Sequence, residues 1–444
     1  MMAKRLPKDP GPAAWNEILP AAEPYPSLGA KTTADWLVVG AGFAGLSAAR
    51  RLNQIRPGDQ IAVLEASRVA HGPAGRNSGV MVDLPHDLAS DDYGGTTEVD
   101  RIQIQQNRAA IDFAWDAARE YHMPEEAIRR SGKINAAATK KGTRHNRDYA
   151  EHLRRLGEPS EFLDARQMQE ITGSTFFESG LFTPGTAILQ PALYIRSLAA
   201  GLVSNRVRIY ERSPALSLNR ENGTWVARTP DGAVYAPKVI LAVNGHAESF
   251  GLYAGRLMHV FTYASMTRAL TAAEVKRLGG RPNWAATPSD PMGTTVRRIS
   301  GVGGDRIVIR NRFTFDPLME VSDARIRDVG RNHDRSFAAR FPMLNGVAME
   351  YRWGGRLCLS WNNVPAFGEV EDGLYAACCQ NGLGTTKGTF GGMMAAELAA
   401  GQKSDALDTI LNQDGPRKLP PAPLSTIGAT AQIRYREWMA GREL

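Results

Sequence analysis

The chain has 444 residues, 43% apolar and 22% charged, enough for two domains with ordinary cores. Its net charge of +7 comes without a Lys/Arg-rich run, so no nucleic-acid partner is expected, although a mild basic balance favours anionic small molecules. The three cysteines, Cys358, Cys378 and Cys379, are odd in number and lack metal-ligand spacing, which predicts a reduced, cytoplasmic protein with no metal site.

Residues 1–33 are rich in Pro, Ala and Gly and read as an irregular arm without the apolar core of a secretory signal. The longest apolar stretch, Trp36 to Ala49, holds three glycines and is too short to span a bilayer. It begins as a buried strand, turns through Gly40-Ala-Gly-Phe-Ala-Gly45 and continues as a helix to Gln54. A second strand, Ile61 to Leu64, ends at Glu65. This is a βαβ start with a dinucleotide-binding turn. Gly40 suits the tight turn, Gly42 admits a pyrophosphate, and Gly45 permits close helix–strand packing. Phe43 and Ala44 open the helix, whose free N–H groups face the phosphates. Glu65, 20 residues after Gly45, is placed to accept ribose hydroxyls and to disfavour a 2′-phosphate; Ala66 follows it.

Helical patterns run over 98–127, 149–156 and 165–172, and Lys140, Lys141, Arg144 and Arg147 mark a solvated face. Pro191 starts another helix, at a favoured first-turn position. A hairpin turns at Pro230-Asp231-Gly232 and precedes a buried strand, Val239 to Val243. Residues 256–345 are strand-rich up to a helix over 324–341; strands recur at 351–361 and 374–378, and a helix at 388–400. The remainder, with Leu419-Pro-Pro-Ala-Pro, reads as a wrapping tail.

The loop Gly72-Pro-Ala-Gly-Arg76-Asn77-Ser78-Gly79 follows Glu65 closely, and its small residues suit a flat ring system. With the first turn, this loop resembles the FAD-dependent oxidoreductases of the D-amino-acid oxidase and glycine oxidase superfamily. Among them the motifs are most similar to bacterial gamma-glutamylputrescine oxidase-like proteins. Two later segments carry the same resemblance: Val239 to His246, and the series Trp353-Gly-Gly-Arg, Pro365-Ala-Phe-Gly, Asn381-Gly382-Leu383-Gly384-Thr385-Thr386-Lys387. The chain departs from the family pattern at Pro73-Ala74, which lacks a hydroxyl, and at Leu383, where the family has His.

The resemblance implies an α/β (α+β overall) chain with a Rossmann-like FAD-binding domain and an interleaved antiparallel-sheet substrate domain. The expected segments are an arm at 1–33, the FAD-binding domain at 34–95, 180–250 and 350–405, the substrate domain at 96–179 and 251–349, and a tail at 406–444. It also implies FAD contacts at Gly40, Gly42, Phe43, Ala44, Gly45, Glu65, Ala66, Arg76, Asn77, Ser78, Gly79, Leu216, Asn244, Gly245, Gly382, Leu383, Gly384, Thr385, Thr386 and Lys387. Histidine forms a covalent flavin link in some relatives, which makes His71 a candidate.

The implied chemistry is oxidation of a C–N bond in an amine or amino acid, with hydride passing to flavin N5 and oxygen or a quinone as electron acceptor. Arg310 and Arg312 share strand parity and suit a substrate carboxylate; Tyr263 and His86 complete the candidate set. A 2-hydroxy-acid or other alcohol dehydrogenase, with His86 or His259 as base, and a non-catalytic flavin-binding subunit remain alternatives.

Overall fold

In the computed structural model, residues 1–85 and 95–444 are described. A six-stranded sheet has the order Val207–Tyr210, Ile61–Leu64, Trp36–Val39, Lys238–Leu241, Leu374–Cys378, Ala366–Glu371. The first five strands run parallel and the sixth antiparallel. Its central strand, Trp36–Val39, is buried throughout, as a parallel strand covered on both faces must be. Helices Phe43–Ile55 and Thr386–Ala399 pack on one face. They approach so closely that a Cβ on Gly392 would lie 2.1 Å from the Ala44 carbonyl oxygen.

The second large sheet has eight strands: Met349–Ser360, Leu257–Thr267, Arg306–Phe315, Thr295–Ile299, Trp284–Pro288, Lys133–Ala137, Ser179–Thr183, Glu161–Asp164. It is antiparallel except where Trp284–Pro288 meets Lys133–Ala137 in parallel. That pair joins two excursions of the chain from the six-stranded sheet, and no hairpin dictates its direction. Helix Asp323–Arg340 covers this sheet through Phe337 and the adjacent Phe341 and Leu344.

The expected boundaries at 180 and 350 fall inside strands of the eight-stranded sheet. Both strands hydrogen-bond to neighbours within that sheet, which composition at the chain level does not reveal. The arm is not simply irregular. Lys31–Thr33 adds an edge strand to a hairpin sheet, and the Arg76 guanidinium binds the carbonyls of Pro10 and Gly11. The tail also differs from expectation: it forms helix Leu424–Ala440. Beyond that helix the Glu443 carboxylate accepts from the Ala138 N–H at 2.9 Å and the Thr139 hydroxyl at 2.8 Å. Among the described residues no helix is long and apolar enough to cross a membrane.

Candidate active site between the two sheets

A cavity of about 310 Å³ lies between the sheets. On the six-stranded side it is lined by Gly40, Ala41, Gly42, Phe43 and Ala44. Gly40 has φ +105°, and a Cβ there would sit 2.6 Å from the Ala242 carbonyl oxygen. Gly45 lies behind the turn, where a Cβ would fall 1.7 Å from the Gly40 carbonyl oxygen, so it serves packing. At Gly42 a Cβ would meet only Ala74, at 3.6 Å, so this backbone faces open cavity.

Glu65 and Ala66 also line the cavity. The Glu65 carboxylate accepts the N–H groups of Ala41 at 3.1 Å and Ser67 at 2.9 Å. Burial raises its pKa, opposed by those two bonds. A half-buried carboxylate with two donors and, among the described residues, no ion-paired cation retains lone pairs for further hydroxyl donors. At the neighbouring edge Pro214 and Ala215 line the cavity. Leu216 stands off it, held by backbone bonds from its N–H to Arg228 and from the Ala3 N–H to its carbonyl.

The 72–79 loop wraps the cavity with Gly72, Pro73, Ala74, Arg76, Asn77 and Ser78. Arg76 sends its guanidinium to the carbonyls of His71, Pro10, Gly11 and Gly354, tying arm, loop and larger sheet together. Asn77 closes the loop on itself: its side chain donates to Ala74 at 2.6 Å and accepts from the Gly79 N–H at 2.7 Å. Gly79, with φ +68°, lies off the cavity. A Cβ there would clash with the Leu189 carbonyl and with Arg297, which also donates to Ser78 and Leu189. His71 is not a cavity residue, and burial lowers its pKa.

Asn244, Gly245, Gly382, Leu383, Gly384 and Thr385 complete the wall. Thr385 and Thr386 donate to the carbonyls of Val80 and Val82 at 2.9 and 3.2 Å, which fastens the start of helix Thr386–Ala399 to the chain just after the 72–79 loop. Thr386 and Lys387 lie off the cavity themselves.

On the eight-stranded side, strand Leu257–Thr267 borders the cavity, with Ala264 beside Arg310 of the next strand and Thr295 and Thr287 on the two beyond. Phe261 and Tyr263, of opposite parity to Ala264, pack against Ile326 and Val329 of helix Asp323–Arg340. The Tyr263 hydroxyl bonds Thr314 at 2.6 Å, and burial pushes its pKa up to about 12. The phenol therefore stays neutral at physiological pH. The Arg310 guanidinium lies 4.6 Å from the centre of the Phe313 ring.

Arg312 does not join Arg310. Thr262 pairs with Phe313 and Tyr263 with Asn311, so Arg312 is the extra residue of a β-bulge, and its φ is +62°. A bulge cancels strand alternation. The Arg312 side chain turns to Glu437 of the C-terminal helix at 2.9 Å, and Glu437 also accepts the Phe313 N–H at 3.2 Å. His86 lies outside the described residues.

Several cavity residues escaped the sequence reading. Asp9 of the arm binds Arg356 at 2.9 Å, Arg356 donates to His246 at 2.7 Å, and all three line the cavity with Arg5. Burial, and then the Arg356 charge, lower the His246 pKa to about 3. His259, also at the cavity, bonds Glu248 at 2.6 Å. No local spacing links residue 9 to residue 356. Among the described residues no cluster of three or more His, Cys, Asp or Glu side chains is placed to hold a metal.

A parallel sheet with a glycine turn at its strand ends, facing a second sheet across a cavity, defines a nucleotide-cofactor enzyme. The chain matches the family described as FAD dependent oxidoreductase (DAO) over residues 35–398, and it belongs to that family. It is 25% identical over 433 residues to a probable oxidoreductase, OrdL, of Rhizobium meliloti, covering 92% of each chain. It is 25% identical over 393 residues to the gamma-glutamylputrescine oxidoreductase of Escherichia coli, covering 88% of each. Glycine oxidase from Geobacillus kaustophilus has the same fold, with a TM-score of 0.71 at 18% identity, covering 88% of this chain and 100% of that one. The protein is an FAD-dependent oxidoreductase.

Proposed function

We propose that this enzyme oxidises the C–N bond of an amine or amino acid. The observation that carries this reading is a cavity with the glycine turn and Glu65 on one side and Arg310 on the other. The names of the relatives, a gamma-glutamylputrescine oxidoreductase and a glycine oxidase, support it.

The residues fit the cofactor. Gly42 leaves room for backbone approach, and Glu65 keeps acceptor capacity for ribose hydroxyls. Ala66, Asn77, Ser78, Asn244 and Gly245 border the same space. We assign the 382–385 turn to the flavin edge, where the N-terminus of helix Thr386–Ala399 supplies a positive dipole end. The bound flavin supplies a hydride acceptor at N5.

The protein's own groups do the rest. Arg310 holds a substrate carboxylate by charge-assisted hydrogen bonds. The released imine hydrolyses in solvent. We find no need for a protein base, since a neutral amine activates its own α-C–H. Turnover with an amino acid should release ammonia and a carbonyl product, which a carbonyl-trapping assay detects. A 2-hydroxy acid turned over in preference to every amine would overturn the proposal.

A further inference from the structure

The cavity's second polar end is not accounted for by the clamp at Arg310. Facing residues run across the eight-stranded sheet in one row. Ala264 pairs with Arg310, and Arg310 with Thr295. The next ladder reaches Ala286↔Val296, so its following step sets Thr287 beside Thr295. Thr287 pairs in turn with Asn135, across the parallel junction of the two excursions. Paired residues project to one face, and Arg310, Thr295 and Thr287 all line the cavity.

Lys133, two residues before Asn135 and on the same face, ends the row. It is only 3% exposed. Its ammonium donates to Asn135 Oδ1 and, at 3.3 Å, to Thr287 Oγ1; the Thr287 hydroxyl donates to Asn135 Oδ1 at 2.8 Å. Among the described residues no carboxylate forms an ion pair with Lys133. Asp83 acts on it only through space and is already bonded to Thr186 at 2.9 Å and paired with Arg108 at 3.5 Å. A buried cation without a counter-ion is costly, and an arriving anion recovers that cost.

We infer that Lys133, Asn135 and Thr287 form a second anion subsite, so that the preferred substrate is an amine or amino acid carrying a distal carboxylate besides the group held at Arg310. This rests on the reading of the Arg310 wall as the substrate pocket. Burial lowers the Lys133 pKa to about 8, so the group is largely protonated at neutral pH. Of the three, Thr287 is the one that lines the cavity; its hydroxyl turns from Asn135 toward the arriving anion and stays polarised by the ammonium behind it. From Arg310 to Thr287 the row spans two inter-strand steps, roughly 10 Å between backbones, which the long Arg310 side chain shortens to the length of a small diacid.

The test is ligand binding to the FAD-loaded protein, followed by flavin absorbance or calorimetry, with non-oxidisable acids. Glutarate should bind at least roughly tenfold tighter than butyrate, the effect of one additional charge-assisted contact. Lys133→Met should abolish that preference while flavin content stays unchanged, and Thr287→Val should reduce it; Arg310→Met should weaken both acids. Equal binding of the two acids, a preference that survives both subsite variants, or no acid binding at all would overturn the subsite. Amine oxidation is read separately, by flavin reduction. Its failure with the glutarate preference intact would remove only the proposed reaction.

Discussion

The two walls of the cavity are built by different means. On the six-stranded side each functional position follows from its neighbours in the chain: a strand, three glycines, a helix, and an acid at the next strand end. On the eight-stranded side the functional positions come from separate strands and meet only through register. Arg310, Thr295, Thr287 and Asn135 span residues 135–310 yet form one row. The first wall is local and rigid in design. The second is non-local, and a single bulge redirects it.

The sharpest way to break the comparison is at Gly45. A side chain there meets the Gly40 carbonyl at 1.7 Å, so Gly45→Val should leave the purified protein without flavin, as its visible spectrum would report. Gly42→Ala should be milder, weakening FAD retention while the protein still folds, because only Ala74 Cβ is near.

Arg310→Met addresses the other wall. It should raise KM for a carboxylate substrate by roughly 30-fold or more, the scale of a lost charge-assisted clamp, with flavin content unaltered. Unchanged KM would remove Arg310 from the site. Arg312→Met should do the reverse. It leaves Glu437, whose side chain is 3% exposed, without its closest cation, so thermal stability falls by several degrees while KM holds.

This pair also shows what the sequence carries. The glycine turn, Glu65, the loop after it and the 382–385 turn, which border one cavity, could be grouped from the sequence because each is encoded by short-range spacing. Parity grouped Arg312 with Arg310, and it failed because the bulge opposite Thr262 and Tyr263 is fixed by Glu437, 125 residues away. Gly79, grouped with the flavin contacts, lies off the cavity and is crowded by Leu189 and Arg297. Leu216 was one residue beyond the lining pair Pro214 and Ala215. The clasp of Asp9, Arg356 and His246 had no sequence signal, since the arm's path over the cavity is a tertiary fact.

The smallest expected effect is on pH. Burial lowers both His246 and His333 to about 3, below an ordinary histidine near 6.5. The unfolded chain therefore binds more protons between those values. The stability from keeping these rings neutral is present above about pH 6.5 and is lost as pH falls toward 3. Melting temperature should decline over that window. In His246→Gln the decline should be shallower, and flavin release on acidification should follow the clasp.

The most direct test of the central claim is the visible spectrum of the purified protein during anaerobic addition of amines and amino acids, with 2-hydroxy acids in parallel. Yellow protein bleached by an amine and not by any hydroxy acid is the predicted result. Bleaching by hydroxy acids alone, or a flavin that no amine reduces, would contradict the account.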